Sequence, residues 1–316
     1  MFEIDIQHLG PEAFGEWINL LNEAQIRCPG YVPVTIRSVH AWPMCGDFPP
    51  EETFLASLGG LPIGAISFSL KGNRGILSHF VVLQGFRRQG IGGRLLEAAL
   101  QELVRRGAEE VLAVCWAFEP YAKFFAKFGF SPRTRYLKVV WDLPGLPPSP
   151  PQGEIREASP EDLPALTNLC AQSYLPEWAW LWPSEEKLKA SVQNLFSAAF
   201  SQPERRRVLV AVQDGCPIGV TCPWVDESFV AETGIQEGML VLGVGVLPEY
   251  RKKGIGTSLL RAALDHLRGW GMKYGSVWTI APMDSDSPAL TFYRTRGGIV
   301  TVEWMVLSRK LRSALE

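Results

Sequence analysis

The feature that most constrains this chain is a loop and helix that occur twice. Residues Phe86–Leu100 read FRRQGIGGRLLEAAL, and residues Tyr250–Leu264 read YRKKGIGTSLLRAAL. A single shift of 164 residues (251 − 87) aligns the two segments without a gap, and it also aligns Gly107 with Gly271. An unbroken register of this length indicates an internal duplication, which predicts two domains of the same fold rather than one large core.

A proline-rich segment lies between the two copies. Pro144–Gly153 reads PGLPPSPPQG, in which five prolines and two glycines disfavour both a helix and a central strand. We therefore predict an N-terminal domain over residues 1–143, a linker over 144–153 and a C-terminal domain over 154–316. A chain of 316 residues suits two domains of ~150 residues each.

The remaining patterns follow the same order in both copies. An amphipathic helix near the start (11–26 and 160–174) is followed by strands around a tight turn, and a further strand (76–82 and 240–246) runs directly into the glycine loop. The turn motif Pro-Ile-Gly recurs at a shift of only 155 residues (217 − 62), which predicts nine inserted residues (164 − 155) in the second copy. A final strand (137–143 and 300–307) closes each copy. This alternation predicts an α/β fold with a mixed sheet (α+β) in each domain.

Composition argues against several classes of protein. The sequence is 47% hydrophobic with a formal net charge of −2, which does not favour a general electrostatic grip on nucleic acid. Six cysteines without a C-x-x-C pair argue against a disulfide scaffold or a zinc site, and we predict no metal. The first residues lack the apolar core of a secretory signal, and no apolar run is long enough to span a bilayer. We therefore expect a cytoplasmic protein that binds neither nucleic acid nor membrane.

A strand followed by R-x-x-G-x-G and a helix can form a cradle for an anion. Glycines allow successive backbone N–H groups to point at one spot, and the helix N-terminus adds a partial positive charge. The G-x-G-x-x-G dinucleotide motif and the P-loop motif are both missing from these loops, which disfavours those two nucleotide-binding classes. A phosphate or pyrophosphate is the expected occupant, and the alternative is a tight turn that carries solvated basic residues.

Two motifs in each copy resemble those of the GNAT superfamily of acetyltransferases. Residues 244–264, VGVLPEYRKKGIGTSLLRAAL, resemble its acetyl-CoA motif, and residues 80–100 resemble it with Gln84 in place of the usual proline. The second motif is a short helix with a tyrosine and, four residues on, a glycine. Tyr293 and Gly297 match it, whereas Phe125 replaces the tyrosine before Gly129. The chain is thus identified as a tandem GNAT-like protein, and its two-domain arrangement is also similar to that of mycothiol synthase.

The resemblance implies a donor and the residues that hold it. Acetyl would pass from acetyl-CoA directly to a primary amine of a small molecule or peptide, through a tetrahedral intermediate and without a metal. In the second copy the implied acetyl-CoA-binding residues are Val244, Gly245, Val246, Arg251, Lys252, Lys253, Gly254, Ile255, Gly256 and Thr257. In the first copy they are Val82, Arg87, Arg88, Gln89, Gly90, Ile91, Gly92 and Gly93.

The resemblance also implies catalytic roles. The backbone N–H of Val246, or of Val82 in the first copy, would hold the oxyanion, since a preorganised amide stabilises developing negative charge. Tyr293 would protonate the departing thiolate, because a phenol is neutral at pH 7 and can donate its proton. The alternative for Tyr293 is a half-buried aromatic on an amphipathic helix. Phe125 has no proton to give, so we expect the second domain to be catalytic and the first to be degenerate.

The general base is less evident. No acidic residue interrupts Met239–Leu247, and the candidates that precede it are Glu237, Glu232, Glu227 and Asp226. Gly243 and Gly245 are two apart, so we expect both to project from one strand face and to leave it bare for a ligand.

Two other polar residues have competing interpretations. His79 takes the place of Gly243 in the first copy, where it is either a base or a histidine satisfied by a neighbour in the sheet. Asp286 is expected to cap the helix that begins at Pro288, and a contact to pantetheine is the alternative.

The sequence does not identify the acceptor. In GNAT domains the segment between the first two helices tends to wall the acceptor cleft, and here it contains Trp178, Trp180 and Trp182. These side chains could pack between domains, or they could form a cation–π contact worth ~0.5–2 kcal/mol with an acceptor. Two other functions stay open: a non-catalytic acyl-CoA-binding or sensing protein with two CoA sites, and a transferase that uses a longer acyl or an aminoacyl donor.

Overall fold

The computed structural model describes residues 4–28, 31, 33–35, 52–147, 154–178 and 184–311. The chain divides into two compact units. Unit 1 comprises Met1–Tyr136, Ala281–Ser285 and Val302–Glu316, and unit 2 comprises Leu137–Ile280 and Asp286–Thr301. Each unit contains a mixed sheet with helices packed on it, which confirms the predicted fold class.

Unit 1 contains the elements of the first copy. Its helices are α1 (Phe14–Gln25), α2 (Ile91–Arg105) and α3 (Glu119–Ala126). Its strands are β1 (Ile4–His8), β2 (Thr53–Leu58), β3 (Leu61–Lys71), β4 (Arg74–Val82) and β5 (Glu110–Trp116), after which β6 (Ser131–Asp142) begins. The strand order in this sheet is β1-β2-β3-β4-β5-β12, with β4 and β5 parallel.

Unit 2 repeats the plan with one addition. Its helices are α4 (Leu163–Trp178), α5 (Glu185–Ser201), α6 (Glu227–Thr233), α7 (Ile255–Gly269) and α8 (Pro288–Arg294). Its strands are β7 (Glu154–Glu157), β8 (Leu209–Gln213), β9 (Cys216–Trp224), β10 (Glu237–Val246) and β11 (Tyr274–Ala281), after which β12 (Ile299–Lys310) begins. Helix α6 lies where the insertion was predicted, between the Pro-Ile-Gly turn and the second glycine loop. The strand order in this sheet is β6-β11-β10-β9-β8-β7.

The last strand of each copy lies in the unit built mainly from the other copy. Residues Trp304–Lys310 of β12 pair antiparallel with β5 in unit 1. Strand β6 lies beside β11 in unit 2, and Leu143 N–H donates to the Lys273 carbonyl there at 2.9 Å. The predicted boundaries describe the two copies in the sequence, at residues 1–143, 144–153 and 154–316, and they stay a prediction. The compact units are divided differently, because each includes the last strand of the other copy.

Strand glycines let the helix behind each glycine loop pack closely on its sheet. In unit 2, a Cβ at Gly238 would lie 2.5 Å from a Leu267 methyl group, and one at Gly219 would lie 2.8 Å from Leu259. In unit 1, a Cβ at Gly75 would lie 2.7 Å from Leu103. These leucines are buried core residues, so the glycines are sites of close approach between strand and helix.

Parallel pairing stops partway along the strand that leads into each glycine loop. Strand β10 pairs with β11 from Glu237 to Leu240 but continues to Val246, and β4 pairs with β5 only from Arg74 to Leu77. Each unit therefore has an opening between two parallel strands just before its glycine loop. Separately, no helix among the described residues is long and apolar enough to cross a membrane.

A largely buried ion pair links three strands of unit 2 and supplies a test of the fold. Lys138 Nζ on β6 lies 2.6 Å from Glu237 Oε1 on β10, and Ser276 on β11 donates to the same carboxylate at 2.7 Å. Replacing Lys138 with alanine should lower the free energy of unfolding by about 3 kcal/mol, since it leaves a buried carboxylate without its cation. Chemical denaturation followed by tryptophan fluorescence measures this loss.

The matched control removes both charges. The double variant Lys138→Met/Glu237→Leu should recover most of the stability, because apolar residues of similar volume often replace a buried ion pair at little cost. Equal losses in the single and double variants would contradict this account.

Candidate active site

A bulge in β10 shapes the opening in unit 2. The pairing of β10 with β9 shifts register between Leu240 and Val244, and within this stretch Gly243 adopts a φ of +68°. Glycine reaches this left-handed conformation without a Cβ penalty. The buried Thr221 hydroxyl donates to the Gly243 carbonyl at 2.8 Å, which holds the bulge in place.

Tyr293 projects from α8 into this bulge. The backbone N–H of Val244 donates to Tyr293 Oη at 3.0 Å, and the tyrosine ring is buried. Because the hydroxyl accepts this bond, its own proton can be donated to a third group. Tyr293 therefore differs from the half-buried aromatic of the alternative interpretation. It is a buried residue whose hydroxyl lies at the opening between β10 and β11.

The exchanged strand β6 supports the helix that carries Tyr293. Trp141 on β6 is fully buried and contacts the Tyr293 ring edge-on, with ring centroids 5.6 Å apart. Its indole Nε1–H donates to the Arg296 carbonyl at 3.0 Å. Residue 141 belongs to the first copy of the sequence, so the first copy contributes directly to the packing of this site.

The backbone N–H of Val246 faces the same opening. Leu247 N–H donates to the Ile218 carbonyl at 3.0 Å, which makes these two residues a hydrogen-bonded pair of the antiparallel ladder. Val246, opposite Gly219, is therefore a non-hydrogen-bonded position, and its N–H points away from β9. The amides of Val244 and Val246 both point toward β11, where the parallel pairing has ended.

The expectation that Gly243 and Gly245 leave one strand face bare is wrong. The bulge interrupts the alternation of the strand, so residues two apart no longer share a face. A Cβ at Gly243 would lie 2.5 Å from Tyr293 Oη, and one at Gly245 would lie 2.6 Å from Tyr174 Oη. Both glycines make room for tyrosine side chains, which come from different helices.

The glycine loop that follows has the geometry of an anion cradle. Lys252 and Gly254 adopt positive φ values of 61° and 84°, and α7 begins at Ile255. Left-handed residues just before a helix turn successive N–H groups inward, and the helix N-terminus adds its partial charge. Arg251 Nε donates to the Val246 carbonyl at 3.0 Å, which ties the loop to the end of β10.

The loop in unit 1 repeats this backbone. Arg88 and Gly90 adopt φ values of 62° and 82°, and Arg87 Nε donates to the Val82 carbonyl at 2.8 Å. Leu83 N–H donates to Ile63 at 2.9 Å, so the N–H of Val82 also faces away from the neighbouring strand β3. Gln89 bonds to the Gly85 carbonyl at 3.2 Å. The two cradles are alike in backbone conformation.

Aromatic rings fill the corresponding opening of unit 1. Phe80 takes the place of Val244 and stacks on Phe124 with ring centroids 5.2 Å apart. It also meets the fully buried Phe125 edge-on at 5.5 Å. A Cβ at Gly92 would lie 3.1 Å from the Phe80 ring, so this ring reaches the glycine loop. Unit 1 lacks the tyrosine hydroxyl of unit 2, and it has a phenylalanine ring where unit 2 has the smaller Val244 side chain.

His79 is a buried, satisfied histidine of the β4 bulge. Its Nδ1 lies 3.2 Å from Ser78 Oγ, and its ring meets Trp17 edge-on at 5.5 Å. Burial lowers the pKa of His79 to about 4, so the ring is neutral at pH 7. Of the two interpretations of His79, the structure favours the satisfied residue.

Asp226, Glu227 and Glu237 of the four base candidates have structural roles. Asp226 accepts from the backbone N–H groups of Ser228 and Phe229 and so caps α6. Glu227 pairs with Arg205 at 2.8 Å, and Glu237 pairs with Lys138. The fourth, Glu232, lies on α6.

The cap expected from Asp286 is supplied by its neighbour. Ser287 Oγ accepts from Leu290 N–H at 3.1 Å and donates to the Ile280 carbonyl at 2.6 Å, so Ser287 is the N-cap of α8. Asp286 pairs instead with Arg294 at 2.7 Å. Pro288 occupies the first turn as predicted. Of the three tryptophans, Trp178 ends α4, and Trp180 and Trp182 lie outside the described residues.

Comparisons with known proteins agree with this geometry. The model of the acetyltransferase (GNAT) family matches residues 17–130 and again residues 168–297. A GCN5-related N-acetyltransferase from Sphaerobacter thermophilus is similar in structure, with a TM-score of 0.78, 18% identity and coverage of 98% of this chain and 96% of that one. Among curated proteins, no sequence matches this chain.

A second solved structure shares the two-domain plan. It is a tandem GNAT protein from the clavulanic acid biosynthesis pathway, solved without AcCoA, with a TM-score of 0.71, 19% identity and coverage of 98% of both chains. At these identities the likeness shows the fold alone, while the family model matches well over half of the chain, once in each copy. The chain belongs to the GNAT family as a tandem member, and this membership supports acyl transfer as its class of reaction, with acyl-CoA as the family's general donor.

Proposed function

We propose that unit 2 transfers an acetyl group from acetyl-CoA directly to a primary amine of a small molecule or peptide. The observation that carries this proposal is the bond from Val244 N–H to Tyr293 Oη, 3.0 Å, at the opening that leads to the glycine loop. This bond holds the Tyr293 hydroxyl, a proton donor, at the end of β10, where the N–H groups of Val244 and Val246 point away from β9.

The donor would lie along one continuous path. The pyrophosphate of acetyl-CoA suits the cradle from Arg251 to Thr257, where two left-handed residues precede a helix N-terminus. Its pantetheine arm would enter the opening between β10 and β11 and meet the amide of Val246, since the amide of Val244 already donates to Tyr293. An extended arm that carries amides is a natural partner for strand N–H groups that have lost their own ladder partner.

The chemistry follows from what lies at the end of that path. The amine attacks the thioester carbon, and the carbonyl oxygen becomes an oxyanion that the Val246 N–H would stabilise. Collapse of this intermediate breaks the carbon–sulfur bond, and Tyr293 would give its proton to the departing thiolate. The proton of the amine passes to water, and the Tyr293 phenolate takes a proton from water to complete the cycle; no residue of the chain is assigned to either transfer.

Unit 1 has no catalytic role in this proposal. Phe125 replaces the proton donor, and Phe80 occupies the space that the pantetheine arm would need. Its cradle keeps the backbone conformation, but aromatic rings pack at the opening behind it, so we expect acetyl-CoA to bind in unit 2 only.

A second candidate function is non-catalytic acyl-CoA binding. The specific observation in its favour is that Asp226, Glu227 and Glu237 are engaged in a helix cap and in ion pairs. A screen of amine acceptors that detects free CoA separates the two functions, since a sensor would bind acetyl-CoA without releasing CoA.

The Tyr293→Phe variant tests the catalytic role. It keeps the ring against Trp141 but removes the donated proton, so turnover should fall by about 100-fold or more. Acetyl-CoA affinity should change by less than a few fold, because the cradle is untouched. Steady-state kinetics and calorimetric titration measure the two effects separately.

Tyr121→Phe in unit 1 is the matched control, because it removes a tyrosine hydroxyl from the equivalent helix of the degenerate copy. It should leave turnover unchanged. Full turnover in Tyr293→Phe would remove this tyrosine from the mechanism.

The two glycine loops allow a paired test of where the donor binds. Gly256→Val in unit 2 should weaken acetyl-CoA binding at least tenfold, about 1.4 kcal/mol. Its Cβ would already lie 3.4 Å from the Phe292 ring and 3.7 Å from a Val246 methyl group, so the added methyl groups would displace the start of the loop helix. Gly92→Val, the equivalent change in unit 1, should leave binding as in the wild type. Calorimetric titration should give one acetyl-CoA per chain for both the wild type and Gly92→Val. Equal losses in the two variants would contradict the assignment of the site to unit 2.

A further inference from the structure

A groove of about 320 Å³ lies beside the glycine loop of unit 2. Leu260 and Leu264 of α7 form part of its apolar wall, and Leu146 and Pro147, which follow β6, form another. Its polar side chains include Thr257, next to the cradle, the two cations Arg261 and Arg296, and the Asp265 carboxylate. The groove thus joins an apolar wall to a cluster of positive charge within reach of the phosphate cradle.

Arg296 is held in place as a cation that faces this groove. Its Nε donates to Thr257 Oγ1 at 2.8 Å, and its guanidinium lies over the Phe292 ring, 4.2 Å from the centroid. Its Nη1 donates to the Phe292 carbonyl and to Thr295 Oγ1 at 3.1 and 2.9 Å. No carboxylate in the described part of the chain pairs with this half-buried guanidinium.

A second cation adds to the positive charge. Arg261 lies one turn along α7 from Thr257, and it lines the same groove as Arg296. Burial, and after it the charge of Arg261, lower the pKa of Arg296. The nearby Asp265 carboxylate is paired with Arg268. Two guanidiniums that line one groove would be stabilised by an anion that contacts both of them.

The first copy lacks every polar member of this cluster. Glu97 takes the place of Arg261 and Gly93 that of Thr257 at the shift of 164 residues (261 − 97 and 257 − 93). Phe128 takes the place of Arg296 at the shift of 168 residues (296 − 128) that also relates Phe125 to Tyr293. The cations at these two positions are therefore found only in the copy that keeps Tyr293, whereas the corresponding groove of unit 1 is lined by cations at other positions, among them Lys127 and Arg309.

We propose that Arg296 and Arg261 bind the 3′-phosphate on the ribose of coenzyme A. This inference rests on the proposed function, in which the pyrophosphate of the donor fills the backbone cradle. Coenzyme A then has one further phosphate group, a dianion attached to the adenosine end of the molecule. A planar guanidinium suits a phosphate because it can donate two parallel hydrogen bonds. The apolar wall of the groove suits the adenine that is attached to this ribose.

Coenzyme A and 3′-dephospho-coenzyme A are the probes that test it, since they differ only in this phosphate. We expect the full-length wild-type protein to bind coenzyme A about tenfold more tightly, the effect of a charge-assisted hydrogen bond in a solvent-accessible groove. Arg296→Gln should reduce the affinity for coenzyme A to that for dephospho-coenzyme A, and it should leave the latter within twofold of wild type. Arg261→Gln, an exposed change, should act in the same direction to a smaller extent.

Arg294→Gln is the matched control, because Arg294 lies on the same helix but pairs with Asp286. It should change neither affinity. Equal wild-type affinities for the two probes would overturn the 3′-phosphate subsite and leave the proposed donor intact. An equal loss for both probes in Arg296→Gln would also overturn it, since Arg296 would then contact the pyrophosphate. Failure of the wild type to bind either probe would overturn the proposed function as well.

Discussion

The candidate site depends on the point at which β10 and β11 stop pairing. Beyond Leu240 the amides of β10 have no parallel neighbour, and a buried N–H without a partner is costly. The bulge that follows directs the amides of Val244 and Val246 into the opening, and Tyr293 accepts from the first of them. One interruption of a sheet thus creates the opening, the outward-facing amides and the position of the tyrosine.

Features that depend on local chemistry could be predicted from the sequence. The duplication, the strand that leads into each glycine loop, the start of α8 at Pro288 and the placement of Tyr293 on that helix all follow from short patterns. The faces of Gly243 and Gly245 could not be predicted, because a bulge breaks the two-residue period of a strand. The N-cap of α8 is Ser287 rather than Asp286. The sequence could not decide between these adjacent residues, because both residue types favour an N-cap and the aspartate pairs with Arg294 instead.

The exchange of the last strands could not be predicted either. Strands β6 and β12 end two copies of one fold, and strand pairing is decided by contacts distant in sequence. The duplicated loops show a related limit. Arg88 and Gly90 keep the left-handed conformations of Lys252 and Gly254, although the opening behind them is filled by Phe80 and Phe125. The backbone of a glycine loop therefore does not by itself identify a working site, and the side chains behind it discriminate between the copies.

The strand exchange also explains why a copy without the tyrosine is retained. Strand β6 belongs to the first copy, yet its Trp141 packs against the Tyr293 ring and bonds to the Arg296 carbonyl. A Cβ at residue 298 would lie 2.9 Å from that tryptophan, so the close packing there requires glycine. The first copy has Phe80 and Phe125 where the second has Val244 and Tyr293, and these differences do not affect the contact between Trp141 and the Tyr293 ring. Loss of the first copy itself would remove the strand that supports α8, so packing constrains the first copy even though it has phenylalanine where the second copy has Tyr293.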